Sequence, residues 1–193
     1  FLFFFLVAAF SIITSRYHKL LYQSMQSSSS LVSYEFTNRL EDLVTMTNIV
    51  RSDSTVQSTL DEIYQPQEDY AVHYYSDIYS ALQKHYLEYR QPYLKMAAIS
   101  CPRFITYTNE NIACRPDADL TKELIALAEA GEGSPVWVTS HAEDHGIFLV
   151  REIKKIKNLR LDNLGTLIIN VNLGDLVTEM SKISNEYKDS YWI

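Results

Sequence analysis

Asn163–Met180, NLGTLIINVNLGDLVTEM, is the stretch whose reading decides the fold. Gly165 opens an apolar, β-branched run from Thr166 to Val171, too short for a stable helix and suited to a buried strand. Asn172 then offers a side-chain oxygen as helix N-cap, and Asp175 puts a negative charge in the first turn, where the helix dipole favours it. Leu173, Leu176, Val177, Met180 and Ile183 follow at helical spacing and form one apolar face. A strand that passes through a cap into an outgoing helix predicts the closing strand of a curved sheet.

Working back from this strand, Ile147 to Ile156 reads as another strand, after a polar loop that ends at Gly146. Val136 to Ser140, VWVTS, is a third. Between them lies SHAEDHG, in which His141 and His145 have metal-ligand spacing only if the segment is helical. Flanking strands and Gly146 make it a hairpin loop, so neither a metal site nor a Ser140–His141 nucleophile is expected. Upstream, Asp119 can cap a helix carrying Leu120, Leu124 and Leu127, ended by Gly131 and Gly133. Phe104 to Thr108, FITYT, alternates as a strand. A turn at Asn109–Asn111 would send the chain back through Ile112 to Cys114.

The first half of the chain is helical in pattern. Ala71, Tyr75, Ile78, Leu82, Tyr86 and Tyr89 mark one face of a helix ending near Pro92. Gln65–Gln67 is a loop, and Ser54 with Gln57 forms a capping box for a short helix before it. Val32, Phe36, Leu40, Leu43, Thr47 and Val50 form a heptad-like stripe that Arg51–Asp53 interrupts. This long helix runs through the serines 27–30, and its stripe suits either a second copy of the chain or its own sheet. Phe1 to Ile13, FLFFFLVAAFSII, is uncharged. It is shorter than the roughly 20 residues that span a bilayer. It reads as the outer part of a transmembrane helix, with Tyr17 and Tyr22 at the interface. A signal-peptide core is the competing reading, but Ser15 to Gln26 contains no clear cleavage site.

The predicted architecture is therefore α+β, a long N-terminal helix and an antiparallel sheet with flanking helices. The expected divisions are residues 1–14 in the membrane, 15–95 as helices packing on the sheet, 96–187 as the sheet subdomain, and 188–193 as the start of a further one. Hydrophobic residues at 47% are ample for a core. A net charge of −7 with no basic stripe argues against nucleic acid as a partner.

Taken in order, NRLEDLVTMTNIVRSDSTVQSTL (38–60), ITYTNEN (105–111), VWV around Trp137, FLVREIKK (148–155) and LGTLIINVNLGDLV (164–177) resemble the extracellular double-Cache sensor region of bacterial transmembrane receptors, above all the YesM-like sensor histidine kinases. The resemblance covers nearly the whole chain and implies a PAS-like, membrane-distal sheet that binds a small ligand outside the cell, beyond about residue 15. It implies that Tyr191–Ile193 begins a membrane-proximal subdomain and that kinase catalysis lies past Ile193. Amino-acid-sensing members place an arginine two residues before the tryptophan and a tyrosine just after it. Here Pro135, Val136 and Val138 surround Trp137, so that ligand class is not implied. A membrane-anchored solute-binding or adhesion protein, or the input of a chemotaxis receptor or diguanylate cyclase, is the alternative.

For the ligand site the expected residues are Trp137, Tyr107, Thr139 and Arg151, with an aromatic to stack and a guanidinium for an anionic group. No cofactor motif is present. Cys101 and Cys114 are the only cysteines, and outside a cell they either pair, stabilising by roughly 3 kcal/mol, or stay as two buried thiols.

Overall fold

The computed structural model describes residues 2–63, 71–109, 111–143, 145–157 and 160–190. Two compact units divide the chain: Phe1–Arg39 with Thr178–Ile193, and Leu40–Val177. The boundary between them falls within two helices, and the chain from Leu40 to Val177 shares one core with the sheet.

In the first unit the chain is helical. Helix α1 runs unbroken over Leu2–Ser52 and passes straight through the serine run. Glu35 and Arg39 pair one turn apart on it, at 2.8 Å. Among the described residues no helix is long and apolar enough to cross a membrane. The outgoing helix α5, Leu173–Ser190, continues helical to its end; the strand expected at Tyr191–Ile193 lies outside the described residues.

In the second unit, α1 ends at Ser52 and α2 follows over Ser54–Ile63. The cap is Asp53, one residue before the expected Ser54. Its Oδ1 accepts from Thr55 N at 2.8 Å and Val56 N at 3.1 Å. Gln57, freed from any capping box, donates instead to Arg51 O at 2.7 Å. The expected Gln65–Gln67 loop lies outside the described residues. Helix α3 is Ala71–Glu88, and β1 (Leu94–Ser100) and β2 (Ile105–Tyr107) follow. Helix α4 (Ala118–Ala130) takes its cap from Asp117, whose carboxylate accepts from Asp119 N and Leu120 N. Strands β3 (Val136–Val138), β4 (Ile147–Lys157) and β5 (Arg160–Val171) complete the sheet.

The α+β class holds, with a five-stranded sheet in the order β2-β1-β5-β4-β3. All its pairings are antiparallel. The expected return strand at Ile112–Cys114 is a single 3-10 turn instead. The hairpin forms earlier: Ser100 pairs with Ile105, and Cys101 N donates to Phe104 O at 3.0 Å. Strand β1 is almost wholly buried, so its apolar residues do not alternate.

Alternation along the strands gives the two faces. Met96, Ala98, Phe148, Val150 and Ile168 meet Leu120, Leu124 and Ala128 of α4 in one core cluster. The opposite face carries Ile99, Leu149, Leu167 and Ile169, all buried, beneath the apolar sides of α1, α2 and α3. Leu43, Thr47 and Val50 of the α1 stripe are buried in this unit. That half of the stripe therefore packs within its own domain.

Candidate functional site

Where β5 runs into α5, a cleft of about 380 Å³ opens at the end of the sheet. Lys95 reaches it from β1, Cys114 from the 3-10 turn, Glu143, His145 and Gly146 from the β3–β4 loop, Asn170 from β5, and Asn172 to Gly174 from the start of α5. The wall is predominantly polar, in contrast to the apolar faces on both sides of the sheet.

Local chemistry holds each part in place. Asn170 is 5% exposed and its Nδ2 donates to His145 O at 3.0 Å, which ties the loop to the strand end. Gly146 permits the closeness of that loop. Its φ is +83°, and a Cβ there would stand 2.5 Å from Val171 O. Asn172 caps α5 as expected, its Oδ1 accepting from Asp175 N at 2.9 Å. Asn172 N donates to Tyr93 O at 2.9 Å, so the start of the helix is also tied to the entry of β1. Lys95 makes an ion pair with Asp175 across the same junction. On the far side of the loop, His141 Nε2 lies 3.1 Å from Glu123 of α4. The Asp117 carboxyl is held below the usual carboxylate range, first by the N–H of Leu120, then by that of Asp119 and by the fields of His145 and His141.

Among the described residues no three side chains come together as a metal site. The His141 and His145 rings stand 6.4 Å apart, and His141 is already engaged by Glu123.

Of the four residues expected to bind ligand, only Trp137 and Arg151 come near each other, as diagonal neighbours on one face of the sheet, and none of the four lines this cleft. Tyr107 pairs with Ala98 in β2, at one edge of the sheet. There it packs against the α4-side core under the Arg115 guanidinium, 4.6 Å above its ring. Burial pushes its hydroxyl pKa up, against the opposing pull of Arg115. Trp137 sits opposite Leu149 in β3, at the other edge and on the other face. Thr139, just past β3, is exposed. Arg151 is 7% exposed. Its Nε donates to Gly133 O at 2.8 Å, and its Nη1 to Thr47 Oγ1 at 3.0 Å and Asn48 Oδ1 at 2.6 Å. It fastens β4 to α1 and to the turn after α4. Burial and then the neighbouring Arg51 lower its pKa.

Cys101 and Cys114 are both free thiols, which corrects the paired reading. The hairpin turns at Cys101–Phe104, so Cys101 follows the last residue of β1 while Cys114 sits beside Lys95 near the first. At about 3.3 Å per strand residue, that places them on the order of 20 Å apart. A disulfide needs Cα atoms within about 7 Å. Cys101 Sγ instead donates to Phe104 O at 3.3 Å.

No family model matches this chain, and no curated protein matches it. The case for the cleft therefore stands on its geometry. Sequence reasoning found Asn172 as a cap and passed over Asn170. The available signal was an amide in the middle of LIINV, since a polar side chain in a fully buried strand needs a specific partner.

Proposed function

We propose that this chain is the ligand-sensing input region of a membrane-bound signal-transduction receptor, of the two-component histidine kinase kind, and that the cleft at the end of the sheet takes a small polar molecule. One observation carries the reading: the cleft is walled by Asn172, Leu173 and Gly174, the cap and first residues of the outgoing helix. An occupant would touch the sheet and the start of α5 at once. Binding would therefore favour whichever seating of that helix makes the better contacts, and its effect is limited to the difference in affinity between the two seatings. The Lys95–Asp175 ion pair spans the same junction and supplies a contact that binding can strengthen or break.

The remainder of the proposal concerns place and assembly. The apolar run at the head of α1 would anchor the helix in the membrane as part of a longer span, with the chain beyond about residue 15 outside the cell. A homodimer would use the α1 stripe before Leu40, where Val32 and Phe36 are half-buried, because Leu43, Thr47 and Val50 are occupied within their own unit.

The test is a thermal-shift screen of the chain, held in mild detergent, against sugars, organic acids and amino acids. A ligand that raises the melting temperature of the wild type and not of Asn170→Leu supports the cleft. A panel without any response, or a response that survives in Asn170→Leu and Gly174→Val alike, refutes it.

A further inference from the structure

On the sheet face away from α4, two guanidinium groups close on one carbonyl oxygen. Arg151 Nε donates to Gly133 O at 2.8 Å, and Arg51 Nη1 reaches the same oxygen at 3.4 Å. Arg151 is almost fully buried, and its other partners, Thr47 Oγ1 and Asn48 Oδ1, are neutral. Among the described residues neither arginine meets a carboxylate. The acids next to them in sequence are engaged elsewhere: Glu152 lies 2.7 Å from Lys154 Nζ, and Asp53 lies 2.9 Å from His85. Neutral acceptors satisfy N–H groups without cancelling charge, so two like charges at a buried junction are left uncompensated.

We propose that Arg51 and Arg151 together hold a small oxyanion, a carboxylate, sulfate or phosphate group, where the end of α1 meets β4 and the turn around Gly133. Three bonds fix the Arg151 guanidinium in place, and no described group accepts from its Nη2. That nitrogen and the half-buried Arg51 offer a planar, pre-organised donor set of the kind that grips oxyanions. Trp137, opposite Leu149, stands one diagonal step from Arg151 on the same face and adds an aromatic neighbour. Burial and Arg51 both press against the charge of Arg151, and a bound anion relieves both. The site is separate from the cleft, uses none of its residues, and would clamp α1 to the sheet whatever the cleft holds.

The experiment compares thermal unfolding of the chain in chloride with unfolding in sulfate, phosphate or acetate at matched ionic strength, for the wild type, Arg51→Gln and Arg51→Lys. The wild type should show a saturable rise in melting temperature with at least one oxyanion. Half-saturation should weaken roughly tenfold or more in Arg51→Gln, the cost of one charge-assisted hydrogen bond, and less in Arg51→Lys. Response to sulfate and phosphate alone marks a tetrahedral anion as the ligand; response to acetate as well marks a carboxylate. In chloride, Arg51→Gln should be at least as stable as the wild type, since a like charge is gone. An oxyanion response equal in wild type and Arg51→Gln would be the general stabilisation of the folded state by excluded, salting-out anions and would overturn the site. So would an Arg51→Gln variant that is less stable in chloride, which would make Arg51 a brace.

Discussion

Asp53 shows how one side chain does two jobs at a helix break. Its Oδ1 caps α2 and its Oδ2 lies 2.9 Å from the buried His85 ring of α3. Burial alone would raise its pKa, but the His85 hydrogen bond and the N–H groups of Val56 and Thr55 outweigh it and hold the carboxyl below its ordinary value of 3.8. A depressed carboxylate contributes stability above the unfolded value and loses it as pH falls through the folded one. Urea midpoints should therefore separate the wild type from Asp53→Asn at pH 6 and converge as the pH drops through and below about 4. A gap that stays constant to pH 3 would show that the carboxylate charge is not what matters. Gly165 makes a second residue-scale case. A Cβ there would stand 2.6 Å from Ser100 O of β1, so Gly165→Ala must push two central strands apart. It should cost about 1–3 kcal/mol in equilibrium unfolding, the usual range for overpacking. Arg151 was legible as an arginine on an inner strand, but not as a buried fastener. Its partners Thr47 and Asn48 lie over a hundred residues away, a contact that no local pattern encodes.

At the scale of elements, what could be read was whatever repeats along the chain. The β5 core from Thr166 to Val171, the Asn172 cap and the helices α3, α4 and α5 follow from period and capping, and the structure has them. The expected faces hold only in part: Leu176 and Met180 of α5 and Ile78 and Leu82 of α3 are buried, but Leu173, Val177 and Tyr75 are exposed. The first hairpin could not be read that way. Its turn, Cys101–Phe104, carries Pro102 but neither glycine nor asparagine, whereas the Asn109–Asn111 segment beyond it has the stronger turn chemistry. There Asn109 Oδ1 accepts from Asn111 N at 2.8 Å in a local loop, and its Nδ2 donates to Lys95 O at 2.8 Å, extending the edge of β1. The cleft itself was illegible because five separate parts of the chain build it, together with the gap between them. Asn172→Ala tests how far α5 depends on its cap. Loss of the bond to Asp175 N should cost about 1 kcal/mol. It should also raise amide exchange in the first turn of α5 while leaving α4 unchanged, measured by hydrogen exchange. Equal protection in both variants would place the helix start under the control of tertiary contacts such as Lys95–Asp175.

For the whole molecule, the distribution of strand lengths has a consequence of its own. The two edge strands, β2 and β3, are three residues each, whereas the inner β4 and β5 have 11 and 12. Exposed backbone on a long, flat outer strand recruits other chains, and very short outer strands limit that recruitment. Here the guard is thin: three register positions of β3 shield Phe148, Leu149 and Val150 of β4. If β3 peels away, a β-rich segment is laid open with its hydrogen-bonding groups unpaired, next to the equally apolar Leu167–Val171. The loop that carries His141 and His145 also keeps β3 in register with β4. The same loop that walls the cleft thus also keeps the start of β4 covered as a sheet edge.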